Sequence, residues 1–274
     1  MGTLEGKVAF ITGAARGQGR SHALKLASEG ADIIAVDILH DLDLVNYPQS
    51  NEDDRLETVR GVEALGRKIV FEQADVGDFD QLRRAFESGY DALGRVDIVL
   101  ANAGVHAVTI GEEEDPVAIF NETLRVNLLG VRNTVKVAVQ RMIDQNEGGS
   151  IVITSSTQGR SGRGYDGSAA MEGYTASKHG VVGLMRNYAN WLAKYNIRVN
   201  TIHPTGVDTT FINNDAVMGW INGDASNAGA LSNLLDVPVL QPEDISDAVA
   251  WIVSPGAKYV TGTTLPVDAG FLVR

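Results

Sequence analysis

The chain contains no cysteine, which excludes disulfides, thiolate nucleophiles and cysteine-ligated metals. Basic residues are scarce: 23 Lys and Arg stand against 35 Asp and Glu, a net charge of −12. Nucleic acid and anionic membrane surfaces require a basic footprint, so neither is an expected partner. No apolar run approaches the ~20 residues of a membrane-spanning helix. The opening MGTLEGKVAFITG carries no charged leader or cleavage site, so a cytoplasmic location is expected. His22, His40, His106, His179 and His203 are scattered without H-x-x-x-H or carboxylate-paired spacing, and no metal site is expected. Internal repeats and Ser/Gly linkers are also missing, which leaves no natural domain boundary within 1–274.

What is present is a rhythm. Short β-branched runs, KVAFIT, DIIAVD, KIVFEQAD, DIVLANAG, SIVITSS, IRVNTIHP and TTLPVDAG, alternate with segments of helical period. The helical segments are Arg20 to Glu29, Arg55 to Leu65, Phe79 to Leu93, Asn121 to Asn146, Tyr174 to Lys194 and Glu243 to Val253. Strands that are apolar on both faces and alternate with helices predict a doubly wound α/β domain with seven parallel strands. Two stretches break the rhythm: an acidic insertion at 38–54, after the second strand, and a long segment at 208–238, after the sixth. The second mixes Phe211, Ile212, Met218, Trp220, Ile221 and Leu231 with glycine and asparagine and reads as a lid over an apolar substrate.

Gly13, Gly17 and Gly19 lie between the first strand and the first helix. Glycines there permit a tight turn and close backbone approach, and the helix N-terminus offers free amides to a pyrophosphate. Asp37 closes the second strand about 20 residues later, where a carboxylate accepts hydrogen bonds from ribose hydroxyls. It would repel the extra phosphate of NADP, which favours NAD. Arg16 points the other way, because a guanidinium there could pair with that phosphate.

Tyr174 and Lys178 stand at i, i+4 at the start of a predicted helix, so phenol and ammonium share one face. A neighbouring cation favours phenolate and is expected to lower the tyrosine pKa. Ser155 and Ser156 end the fifth strand, at the sheet edge where doubly wound folds bind ligands, and Asn102 ends the fourth. Asn127 falls inside a helix, where asparagine is locally disfavoured.

Together these residues make the chain resemble the short-chain dehydrogenase/reductase family. The resemblance runs through Thr12 to Gly19, Asp75-Val76, Asn102-Ala103-Gly104, Asn127, Ser156, Tyr174/Lys178, Pro204 to Thr209 and the terminal YVTGTTLPVDAG. It implies a Rossmann-type fold, an NAD cofactor and a homotetramer built on the long helices and the last strand. Tyr174 would exchange a proton with the substrate oxygen and Ser156 would hold that oxygen. Lys178 would bind the nicotinamide ribose, and Asn127 would position a relay water. Arg16 and Gln18 belong to the implied cofactor turn with Gly13, Gly17 and Gly19. Asp75 and Val76 would meet adenine, Asn102 to Gly104 would flank ribose and nicotinamide, and Val207 and Thr209 would hold the carboxamide.

The family commonly places the serine about 13 residues before the tyrosine. Here Ser161 has that spacing, whereas Ser156 lies 18 residues before Tyr174. Ser156 is preferred because it sits at the strand end, with the surplus glycine-rich residues bulging as a loop. The insertion after Asp37, with VNYP and its acidic tail, is similar to mycofactocin-associated dehydrogenases, a group that includes carveol dehydrogenases. That likeness implies oxidation of secondary, often terpenoid or cyclic, alcohols by a retained NAD that an external electron carrier regenerates. The other readings are a ketone reductase using the same site, a non-catalytic NAD-binding protein, and a nucleotide-sugar epimerase. The last is disfavoured by the lack of a substantial C-terminal substrate domain. His106, just after the NAG turn, reads as a capping or exposed histidine that could face the substrate.

Overall fold

The computed structural model describes residues 2–107, 115–163, 167–223 and 232–274. Seven strands form one parallel sheet: β1 (Val8–Thr12), β2 (Asp32–Asp37), β3 (Ile69–Gln73), β4 (Ile98–Ala101), β5 (Gly149–Thr154), β6 (Ile197–Pro204) and β7 (Thr264–Val267). Their order is β3-β2-β1-β4-β5-β6-β7, so the topology reverses between β1 and β4 and opens a crevice at their C-terminal ends.

The helices are α1 (Gly17–Ser28), α2 (Glu52–Ala64), α3 (Phe79–Leu93), α4 (Pro116–Leu124), α5 (Val131–Gln145), α6 (Ala169–Leu192), α7 (Asp215–Gly223) and α8 (Pro242–Val253). Alternation along β1 divides the core in two. Phe10 joins one cluster with Ile34, Phe86 and Met142, while Ala9 and Ile11 join the other with Leu26, Ile245 and Ile252. Phe10 meets the Phe86 ring of α3 at a centroid distance of 5.0 Å. Apolar side chains on both faces explain why the strands read as continuous hydrophobic runs.

Local chemistry sets the helix ends. Asp78 caps α3 by accepting from the backbone N–H groups of Asp80 and Gln81 at 3.0 Å each, and Gly94 ends it in the left-handed region at φ 78°. The long helix expected from Asn121 to Asn146 is instead α4 and α5, joined by a turn of π-helix over Arg125–Gly130 that contains Asn127. Such widened turns break the regular hydrogen-bond ladder and recur at functional sites. The α6 helix begins at Ala169, earlier than expected, so Tyr174 and Lys178 lie inside it rather than at its start. Part of the expected lid is the helix α7; residues 224–231, including Leu231, and the side chains of Trp220 and Ile221 lie outside the described residues.

Candidate active site

A cleft of about 1020 Å³ runs across the C-terminal ends of β1, β4, β5 and β6, from Asp37 and Asp75 at one end to Tyr174 and Phe211 at the other. At its first end the chain leaves β1 through Gly13 and enters α1 at Gly17. A Cβ on Gly19 would stand 1.8 Å from the Gly13 carbonyl oxygen, so only glycine lets the helix begin this close to the strand. Arg16 occupies the N-cap position without a side-chain hydrogen bond to the helix, which leaves the first amides of α1 uncapped by it. Gln18 lines the cleft, and its Oε1 is buried without a protein partner.

Asp37 is a hub. Its carboxylate accepts from the N–H groups of Ala15 and Ile38, both at 2.8 Å, and from the Ser50 hydroxyl at 2.6 Å. Arg16 donates to the Pro48 carbonyl at 2.6 Å, so its guanidinium is tied to the insertion rather than held free for a phosphate. Asp75 accepts from Arg125 and from the Gly77 N–H, both at 2.7 Å, while Val76 is buried and its carbonyl accepts from Asn133. Asn102 joins three strand ends: Nδ2 donates to the Thr12 and Gly13 carbonyls, and Oδ1 accepts from Thr154. On the opposite wall the Thr209 hydroxyl donates to the Val207 carbonyl, and both residues line the cleft.

At the other end, burial brings the reactive groups together. Tyr174 is 8% exposed and Lys178 4%. Lys178 Nζ donates to the Thr154 carbonyl at 2.9 Å and lies 5.5 Å from the Tyr174 ring centroid. Desolvation pulls its pKa down to about 8. Tyr174 is pushed up to about 12, because burial outweighs the lowering effect of its hydrogen bond to the Ser156 hydroxyl. The lowered tyrosine pKa expected from the adjacent lysine is therefore reversed in the protein alone: desolvation of the phenolate dominates.

Ser156 is the serine that meets Tyr174; Ser161 instead accepts from the Arg163 N–H at 3.2 Å and stands off the cleft lining. Asn127 is fully buried. Its side chain exchanges two 2.8 Å hydrogen bonds with the Val105 backbone and holds the loop that follows Ala103 and Gly104. A Cβ placed on Gly104 would lie 3.2 Å from Asn127 Oδ1 and 3.5 Å from Lys178 Nζ, which shows how closely these groups converge.

An aromatic wall completes this end. The His106 ring lies 4.7 Å from that of Tyr174 and stacks on Phe211 at 5.7 Å and 21°. Tyr47, carried by the insertion, packs edge-on against Phe211, and its hydroxyl accepts from the His106 N–H at 3.4 Å. His106 is thus neither exposed nor a helix cap; it is 5% exposed and part of the pocket wall. Sequence reasoning missed Tyr47, Met171, Gln158 and Gly159, which have no local pattern. Proximity to the SIVITSS strand end was the only available signal for the last two.

A parallel sheet with a switch-point cleft, a glycine turn at one end and a buried Ser–Tyr–Lys group at the other defines a dinucleotide-type oxidoreductase scaffold. The model of the short chain dehydrogenase family matches residues 7–217, and the chain belongs to that family. It is 44% identical over 282 residues to (-)-trans-carveol dehydrogenase of Rhodococcus erythropolis, covering 100% of both chains. An uncharacterized oxidoreductase of Mycobacterium tuberculosis is 52% identical, over 98% of this chain and 97% of the relative. Among solved structures, carveol dehydrogenase from Mycobacterium avium in complex with NAD superposes with a TM-score of 0.93, at 44% identity and complete coverage of both chains.

Proposed function

We propose that the protein is an NAD-dependent oxidoreductase interconverting a hydrophobic, cyclic or terpenoid-like secondary alcohol and its ketone. The observation that carries this reading is the buried Ser156–Tyr174–Lys178 group, facing an aromatic wall in the same cleft that begins at the glycine turn. The residues fit the cofactor. Gly13, Gly17 and Gly19 leave backbone room for a pyrophosphate, Gln18 Oε1 is an orphaned acceptor, and Asp37 meets a ribose diol while rejecting a further phosphate. Asp75 and Val76 would flank adenine. Asn102, Ala103 and Gly104 would flank the ribose and nicotinamide, and Val207 and Thr209 would hold the carboxamide.

When bound, NAD supplies the hydride acceptor. Tyr174 takes the proton of the substrate hydroxyl during oxidation and returns it during reduction. Ser156 holds the substrate oxygen and stabilises its developing charge. Lys178 has donors beyond the one spent on Thr154 with which to bind the nicotinamide ribose, and its charge favours the Tyr174 phenolate. Asn127 holds the Val105 turn against this group and, from its widened helical turn, positions the water that relays protons to Lys178. His106, Phe211 and Tyr47 present flat apolar surface to a ring-shaped substrate.

The segment 38–54 acts as a strap over the cofactor: Arg16 grips Pro48, Asp37 grips Ser50, and Tyr47 reaches the substrate wall. This supports a retained NAD and regeneration by a mycofactocin-like external electron carrier. We place the enzyme in the cytoplasm as a homotetramer. No helix among the described residues is long and apolar enough to cross a membrane. The reductase reading is favoured by the burial of Tyr174, which raises its pKa and so disposes the phenol to act as an acid.

The test is to purify the protein without added nucleotide, denature it and quantify released NAD by mass spectrometry, then assay cyclic secondary alcohols. Near-stoichiometric NAD after dialysis, with turnover only in the presence of an artificial electron acceptor, is the expected result. An empty protein that reduces added NAD freely would retain the dehydrogenase and eliminate the retained cofactor. No turnover of any secondary alcohol or ketone would overturn the reading.

A further inference from the structure

His203 lies on β6, is completely buried, and faces the end of β5 rather than the cleft. Its Nδ1 lies 2.7 Å from the Ser156 carbonyl and its Nε2 lies 2.8 Å from the Thr201 hydroxyl. A carbonyl only accepts, so the proton sits on Nδ1; Nε2 then accepts from Thr201, two residues earlier on the same face of the strand. The same Ser156 carbonyl accepts from the Gly159 N–H at 2.9 Å, and the Ser156 hydroxyl accepts from the Gln158 N–H at 3.1 Å while meeting Tyr174.

We propose that His203 is a positioning residue. As a neutral Nδ1–H imidazole braced by Thr201, it clamps the backbone of Ser156 and thereby fixes the Ser156 hydroxyl against the Tyr174 phenol. Three features favour this role over simple core filling. The imidazole spends both nitrogens on hydrogen bonds of 2.8 Å or less, one of them on the backbone of the residue that meets Tyr174. The sheet hydrogen bonding ends one residue before Ser156, where the Ser155 N–H donates to the Ile202 carbonyl at 2.9 Å, so Ser156 is the first residue of this strand end whose carbonyl is held by a side chain, that of His203, in addition to the Gly159 N–H. Burial, with Arg160, Lys178 and His179, outweighs the raising effect of the Ser156 carbonyl and brings the pKa down to about 4, which keeps the ring neutral across the working range, while the Ser156 carbonyl selects the Nδ1–H tautomer.

The proposal rests on Ser156 and Tyr174 acting as read above, and its test separates the two. His203→Leu removes the donor, and His203→Asn restores an N–H near the place of Nδ1. His203→Leu is expected to lower kcat roughly tenfold to a hundredfold, the scale of an ångström-level misplacement, with KM and NAD affinity within about threefold. Its kcat/KM pH limb for Tyr174 is expected to move upward, because the Ser156 hydrogen bond lowers that pKa. His203→Asn is expected to recover most of both. A merely structural role would lower thermal stability but leave the pH limb and the kcat-against-KM split in place. Crystal structures of both variants supply a readout independent of activity: the Ser156 hydroxyl should leave Tyr174 in the Leu variant and stay in the Asn variant. Unchanged Ser156 geometry in His203→Leu, or an Asn variant no better than Leu, overturns the proposal. Full turnover by Tyr174→Phe would overturn the functional reading alone, and the two crystal structures would still decide the role of His203.

Discussion

Arg16 donates to the carbonyl of Pro48 at 2.6 Å, a single bond that joins the glycine turn to the insertion beyond β2. The contact crosses the mouth of the cleft where the adenosine half of a dinucleotide would lie. Arg16→Ala should therefore loosen the strap without touching Tyr174. At this exposed contact the charge-assisted hydrogen bond is worth about 1 kcal/mol, so the NAD dissociation rate should rise by about fivefold. Fluorescence displacement of bound NAD measures this directly, and a rate within twofold of wild type would show that the strap is held elsewhere.

The burial of Tyr174 has a signed consequence for pH. Its pKa is raised to about 12 in the protein alone, so the protonated form dominates through the neutral range. Oxidation needs the phenolate, and kcat/KM for the alcohol should climb with pH from neutrality to the alkaline end. Reduction needs the phenol and should stay flat over the same range. Tyr174→Phe should abolish the alkaline rise of the alcohol reaction and lower kcat in both directions by about 10²–10⁴, with NAD binding retained. A pH-independent alcohol reaction would rule out Tyr174 as the rate-determining base.

Gly159 is a packing requirement of the turn that follows Ser156. A Cβ at this position would stand 2.2 Å from the Ser155 hydroxyl oxygen and 2.6 Å from the Lys178 carbonyl. Ser155 donates to that same carbonyl at 2.9 Å, which ties the end of β5 to α6. Gly159→Ala must push the turn away from the helix, at a cost of about 1–3 kcal/mol. Both melting temperature and kcat should fall, measurable by calorimetry and steady-state kinetics. Wild-type values for both would mean that the turn has slack.

Acid should weaken the fold through His22. Its Nδ1 lies 2.7 Å from the Ser246 hydroxyl between α1 and α8, Nε2 is buried without a partner, and burial lowers its pKa to about 3. The unfolded chain binds this proton near the ordinary pKa of about 6.5. The contribution of neutral His22 is thus complete above that pH and lost progressively as pH falls toward about 3. Between pH 6.5 and 5, urea unfolding should lose up to ~1.4 kcal/mol per pH unit from this residue. His22→Leu should flatten that slope; an unchanged slope would assign the acid sensitivity to other groups.

Much of the fold was legible because parallel strands covered on both faces must be apolar throughout. The run DIIAVD is β2 from end to end, and Phe79 to Leu93 is α3 with both boundaries as read. The break in the fourth helical segment was not legible, since RVNLLG contains no proline and its single glycine does not mark a break. Asn127, singled out for its cost in a helix, proved to sit in that widened turn with its amide spent on Val105. The early start of α6 was hidden by the glycine-rich stretch before it. His106 was misread because its burial depends on Phe211 and Tyr47, which are remote in sequence.

The sequence alone determined the order of strands and helices, the glycine turn, the acid that ends β2 and the Tyr174/Lys178 pair. Each is written in local periodicity or fixed spacing, where one strand face or one helical turn suffices. The tertiary structure alone decided where Arg16 spends its charge, that Tyr47 reaches the far end of the cleft, and that burial outweighs the neighbouring cation at Tyr174. Those outcomes depend on desolvation and on hydrogen bonds between residues tens of positions apart, and such contacts exist only once the sheet has brought its strand ends together.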